Sequence, residues 1–138
     1  MFFPIRAVRI DCDVLQGDGG TRTASITGGF IALALAIQWM RKQGMINVLP
    51  IKDYVAAISV GVFQGTPVLD LNYAEDSKAD VDMNVVMVGR GSFVELQGTG
   101  EGNTFSEKDM AALVALAKKG IKELLAIQQK QLPFLTIK

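Results

Sequence analysis

Two short stretches of the 138-residue chain hold the residue types best suited to chemistry. The first, Gly19-Gly20-Thr21-Arg22-Thr23, sets one guanidinium and two hydroxyls beside paired glycines, just ahead of a small-residue, apolar run. Where such a run opens a helix, its first turn presents unpaired N–H groups and the positive dipole end, which favour an anion. An arginine fork fits phosphate oxygens bidentately, with each charge-assisted bond worth about 1.5–3 kcal/mol. The stretch is neither a Walker loop, lacking G-K-[ST], nor a G-x-G-x-x-G fingerprint. Its plainer reading is a tight turn, the glycines supplying positive φ and Arg22 solvated.

The second stretch carries Glu75, Asp76, Asp80 and Asp82 between apolar runs. A solvated acidic loop is the plain reading. Asp76 and Asp82, with Asp80 between them, also have a spacing able to bind Mg²⁺ through one or two carboxylates and waters. A carboxyl of raised pKa there would instead protonate a leaving oxygen, an effect of about 10²–10⁴ in rate.

Composition narrows the chemistry further. The chain has no histidine, so triads and imidazole acid–base catalysis within it are excluded. A single cysteine, Cys12, excludes a disulfide framework or a Cys-rich zinc site and fits a reducing cytoplasm. Fourteen basic residues balance fourteen acidic ones, so no bulk positive field draws in nucleic acid. Any such contact is local or belongs to an oligomer. Arg6, Arg9, Arg41, Lys42, Arg90 and the Lys118/Lys119/Lys122 group read as surface charge, with RNA steering by Lys118 and Lys119 as the alternative. Met1–Pro4 is too short for a signal-peptide core, and the longest apolar run, Phe30–Ile37, falls short of a membrane span. A soluble, cytoplasmic protein is the expectation.

The elements that must hold these residues follow from periodicity. Arg6–Leu15 alternates, with Val8, Ile10, Cys12 and Val14 apolar, which predicts a half-buried strand with Cys12 in the core. Ala24–Lys42 has helical period with two apolar stripes, one through Ile26, Phe30, Leu33, Ile37 and Met40, the other through Ile31, Leu35 and Trp39. That predicts a helix buried between layers, with Gly44 at its C-terminus. After a linker containing Pro50, strands are expected over Tyr54–Val62, Val68–Leu71, Asn84–Val88 and Ser92–Gln97. Asn72–Asp82 reads as a short helix or ordered loop, and Gly98–Asn103 as a loop. Ser106 heads a last helix, with Asp109 completing a capping box and Met110, Leu113, Val114, Ala117, Ile121, Leu124 and Leu125 as its buried stripe. The order is β-α followed by β-β-(α)-β-β-α. One strand and one helix cannot close a core, so the first unit lacks something at its front.

Three motifs, I-D-C-D-V-L-Q-G-D-G-G-T-R-T-A-S-I-T-G, L-D-L-N-Y-A-E-D-S-K-A-D-V-D-M-N-V-V-M and V-E-L-Q-G-T-G-E-G-N-T-F-S, resemble the second half of bacterial ribonuclease PH over about residues 8–128. Exosome subunits and polynucleotide phosphorylase share weaker versions. The resemblance implies an α+β fold: the end of a ribosomal-protein-S5-domain-2-like unit (1–48), then a ribonuclease PH domain 2-like β-β-α-β-β-α unit (49–138). It implies a phosphate-dependent 3′→5′ exoribonuclease that trims tRNA precursors and releases nucleoside diphosphates. Gly20, Thr21 and Arg22 match the family's phosphate-binding G-T-R, and Asp76 and Asp82 its acidic pair for metal binding and leaving-group protonation. Inorganic phosphate is then the co-substrate, Mg²⁺ the metal, RNA the partner, and a hexameric ring of dimers the assembly, with no membrane involved. Gly17 stands where the family usually has Ala. The family's first half, with a second phosphate-binding Arg and most RNA-contacting basic residues, has no counterpart here, and Met1–Arg6 does not match it. A truncated or internally initiated frame is the expectation, with two rivals: a non-catalytic binding or assembly subunit, or a fragment needing a separate N-terminal half.

Overall fold

The computed structural model describes residues 7–137. Met1–Arg6, including the start of the expected first strand, lie outside the described residues. The described chain runs α1 (Thr21–Lys42), β1 (Val55–Phe63), β2 (Thr66–Leu69), α2 (Tyr73–Asp76), β3 (Val81–Val88), β4 (Phe93–Gly100) and α3 (Glu107–Gln131). The four strands form one antiparallel sheet in the order β2-β1-β3-β4.

β1 carries V-A-A-I-S-V-G-V-F and is buried along most of its length, as a near-continuous apolar run requires of a strand covered on both faces. Ala56, Ile58 and Val60, with Val81, Met83, Val85 and Met87 of β3, pack against Leu113, Ala117 and Ile121 of α3. Gly120 permits this closeness, because a Cβ there would press on the side-chain ends of Ile58 and Leu69. The opposite face of the sheet meets α1: Gly20 lies against the Ser59 side chain, and Thr27 exchanges hydrogen bonds of 3.0 Å with the Ala57 backbone. A second apolar cluster joins Phe30 and Ala34 of α1 to Tyr54, Leu132 and Leu135. The Tyr54 hydroxyl donates to the Leu135 carbonyl at 2.7 Å. Gln128, fully buried on α3, donates to the carbonyls of both Thr27 (3.1 Å) and Val55 (2.8 Å), joining the two long helices across the margin of β1.

Several expectations need correction. Residues 7–14 form no strand; with no neighbouring strand among the described residues to complete a ladder, the alternating pattern has nothing to pair with. The segment lies instead along α1, where Gly29 leaves room for Ile10 and Cys12. Cys12 is exposed rather than core, its thiol 3.8 Å from the Ser25 carbonyl oxygen. Helix α1 is covered on one side only: Phe30, Ala34 and Ile37 are buried, while Leu35 and Trp39 of the second stripe are exposed. It is also long and apolar enough to cross a bilayer by length and composition, which the shorter unbroken run Phe30–Ile37 does not suggest. Met110 lies outside the buried stripe of α3, being exposed in the first turn, before the helix reaches the sheet. β2 ends at Leu69, since Asp70 adopts φ 57° and turns the chain. β3 begins at Val81, so Asp82 belongs to a strand and not to the loop before it, and β4 continues to Gly100 through part of the expected loop.

Candidate functional site

Helix α1 begins at Thr21, three residues ahead of the periodic run, so Thr21 and Arg22 form its first turn. Its N-cap, Gly20, sits in the left-handed region (φ 70°, ψ 27°) and no side chain caps the helix. The Thr23 hydroxyl donates to the Gly20 carbonyl at 2.9 Å, so it does not cap the first-turn N–H groups. Beneath Gly20 lies the Ser59 hydroxyl, almost wholly buried and with no hydrogen-bond partner.

The acidic segment is fastened directly to this turn. Asp18 accepts hydrogen bonds from the N–H of Gly19, at 2.9 Å, and of Tyr73, the first residue of α2. These two bonds hold the Asp18 carboxyl below the usual carboxylate range. Asn72 caps α2 in a full capping box with Glu75. Gly19 is pressed so closely on this corner that a Cβ would collide with the Leu71 carbonyl oxygen. The glycine pair therefore serves close approach as much as turning.

Asp76, Asp80 and Asp82 line a cavity of about 440 Å³ together with Ser77, Lys78, Ala79 and Glu101. Asp82 projects from β3 on the α1 face of the sheet: it pairs with Gly61 and Thr99, one step along from the Ser59–Asn84–Gln97 row on which Gly20 rests. One such step is about 7 Å along a strand. Burial pushes the Asp82 carboxyl up, helped by the negative charges of Asp76 and Glu101 and opposed by a hydrogen bond from the Met83 N–H. Among the described residues no group of three or more His, Cys, Asp or Glu could hold a metal ion. Asp76 and Asp82 do lie close enough to interact, and two carboxylates completed by water and substrate oxygens form a set that suits Mg²⁺.

Arg22 does not reach these acids. Its guanidinium grips Glu95 of β4 in a bidentate fork, Nη1–Oε1 2.7 Å and Nη2–Oε2 2.9 Å. Glu95 belongs to the Ala57–Val86–Glu95 row, two steps from Asp82. Arg22 lines a cavity of about 590 Å³ with Ile10, Ser25, Ile26 and Phe30, separate from the acidic one. Among the remaining basic residues, Arg90 pairs with Asp53 at 3.3 Å and Lys118 lies over the Phe93 ring.

Sequence reasoning passed over Asp18, Ser59, Glu95 and Glu101. Ser59 had a visible signal, a lone hydroxyl inside an apolar strand. Asp18 and Glu95 carry no such signal, because their roles depend on partners 55 and 73 residues away.

Comparison with known proteins agrees with this architecture. Residues 53–120 match the model of the 3′ exoribonuclease family, domain 2. The chain is 61% identical over 124 residues to ribonuclease PH of Syntrophomonas wolfei subsp. wolfei, covering 90% of this chain and 52% of that protein. It is 60% identical over 126 residues to ribonuclease PH of Listeria welshimeri, covering 91% and 51%. The chain thus spans about half the length of the curated relatives it matches. The crystal structure of rice (Oryza sativa) Rrp46 shares the fold, with a TM-score of 0.69 at 20% identity over 86% of this chain and 51% of that one. The α+β expectation stands: residues 53–120 carry a match to domain 2 of the 3′ exoribonuclease family, and the chain is similar, at about 60% identity, to half of a ribonuclease PH.

Proposed function

We propose that this chain supplies the phosphate-holding and acid-bearing half of a phosphorolytic 3′→5′ exoribonuclease that trims tRNA 3′ ends in the cytoplasm. In this reading residues 1–48 complete a first domain, residues 49–138 form the second, and the chain assembles as a homo-oligomeric ring. The reading rests on one observation: the uncapped start of α1 and the raised-pKa carboxyl of Asp82 share one sheet face a single register step apart.

Gly20, Thr21 and Arg22 hold inorganic phosphate, the co-substrate, against the N–H groups of the first turn. A phosphate oxygen attacks the last phosphodiester in line, and the bond from phosphorus to the preceding 3′-oxygen breaks. Asp82, whose carboxyl is pushed up by burial and by the charges of Asp76 and Glu101, holds a proton more readily than a solvated carboxyl. It is the group placed to give one to the departing 3′-oxygen. A nucleoside diphosphate leaves, and the RNA is one nucleotide shorter. Mg²⁺ at Asp76 and Asp82 would add charge neutralisation. Positioning and electrostatics carry the rate.

A second reading, a fragment that turns over only with a separately made first half, is favoured by exposed Val8, Ile10, Val14, Leu15, Leu35 and Trp39. One assay separates the readings. The chain, a short RNA with a free 3′ end, Mg²⁺ and inorganic phosphate should release nucleoside diphosphates, alone or after addition of the first half of a ribonuclease PH. Arg22→Ala and Asp82→Asn should each suppress release. If no diphosphate forms with or without the added half, the catalytic reading fails and a non-catalytic subunit remains.

A further inference from the structure

The best donor pair of Arg22 is already occupied. Both terminal nitrogens are spent on the Glu95 carboxylate, and these hydrogen bonds hold that carboxyl below its usual range. Meanwhile the start of α1 has no side-chain cap, and the buried Ser59 hydroxyl beneath it has no partner. Donors for an anion are therefore present at the turn, while the only cation of its first turn is turned aside to β4. From the Glu95 row to Asp82 is four residues of β3, about 13 Å.

We propose that Glu95 is a built-in competitor for the anion site, holding Arg22 until inorganic phosphate draws the guanidinium across to the start of α1. The inference rests on the phosphate reading above and adds the residue that sets its affinity. Half of the Arg22 side chain and 38% of the Glu95 side chain are exposed, so the pair is of the weak, solvent-screened kind. A phosphate offers more charge and more acceptor oxygens than a carboxylate and can also use the backbone donors that Glu95 cannot reach. A free monocarboxylate brings only what Glu95 already provides. Glu95 therefore tilts the fork toward phosphate over simple carboxylates.

The test is calorimetric titration of inorganic phosphate into the full chain, its Glu95→Gln and Arg22→Ala variants, and the double variant. Glu95→Gln removes the competing charge at an exposed position, and phosphate should bind about two- to five-fold tighter, the range an exposed ion pair spans. Arg22→Ala should weaken phosphate binding in both backgrounds and abolish the gain from Glu95→Gln. A damaged fold cannot produce tighter binding. If Glu95→Gln binds phosphate as well as or less well than the parent while Arg22→Ala loses binding, Glu95 supports Arg22 and the competitor role is overturned. If neither the parent nor Glu95→Gln binds phosphate, the phosphate reading itself falls, and this inference with it.

Discussion

The two long helices of this chain begin in opposite ways. Helix α3 closes its own N-terminus: Ser106 and Asp109 form a reciprocal capping box, and Glu107 and Asp109 bring negative charge to the positive dipole end. Helix α1 has a left-handed glycine at the same position, no capping side chain, no acid in its first turn, and an arginine instead. The first arrangement satisfies its donors internally and makes a fold element. The second leaves its first-turn donors without a side-chain cap, draws its arginine aside to Glu95, and gives up local stability. What is missing from a helix start can be as informative as what is there.

Four measurements test that contrast. Arg22→Ala should weaken phosphate binding the most, about 10- to 100-fold if one or two charge-assisted bonds are lost, with little change in thermal stability. Equal loss of stability and binding would make Arg22 a structural residue. Gly19→Ala forces a Cβ into the Leu71 carbonyl and should cost about 1–3 kcal/mol in urea unfolding, with phosphate binding reduced because the turn shifts from α2. Ser106→Ala should cost about 1 kcal/mol and leave phosphate binding untouched. An effect of Ser106→Ala on phosphate would mean the two starts are not independent.

The smallest effect is one of pH. Asp109 has a folded pKa below the ordinary 3.8, so its contribution is present above that value and is lost as pH falls through the folded one. Asp82 has the opposite sign: its folded pKa is raised, so its cost to the fold grows as pH rises from 3.8 through the folded value. Asp82→Asn should therefore raise Tm at neutral pH and change little in acid. Asp109→Asn should lower Tm at neutral pH and narrow the loss on acidification. Thermal melts across pH check both.

Much of the fold is legible in the residues. The V-A-A-I-S-V-G-V run, the Ser106 start and the Leu113–Ala117–Ile121 stripe each encode local structure strongly enough to be seen without a partner. Residues 7–14 mislead because a strand is a relation between segments, and alternation alone does not supply the neighbour. The candidate site is legible in composition, since an arginine beside glycines and clustered aspartates announce anion and acid chemistry. Its wiring is not. That Asp18 ties the turn to α2, or that Arg22 reaches Glu95 73 residues away, depends on register and on long-range closure that no spacing reveals.

Gln128 gives the far end of the chain a purpose that its sequence hides. Because one amide clasps the first long helix and the first strand together, the C-terminal stretch works as a fastener for segments near the front. Trimming the polypeptide after residue 120, where the family match ends, would strip out that clasp and the lid that Leu132 and Leu135 lay over Phe30. The Gly19–Thr23 turn would then ride on a loosened helix, so the last residues of the chain help decide how firmly a turn near its front is held.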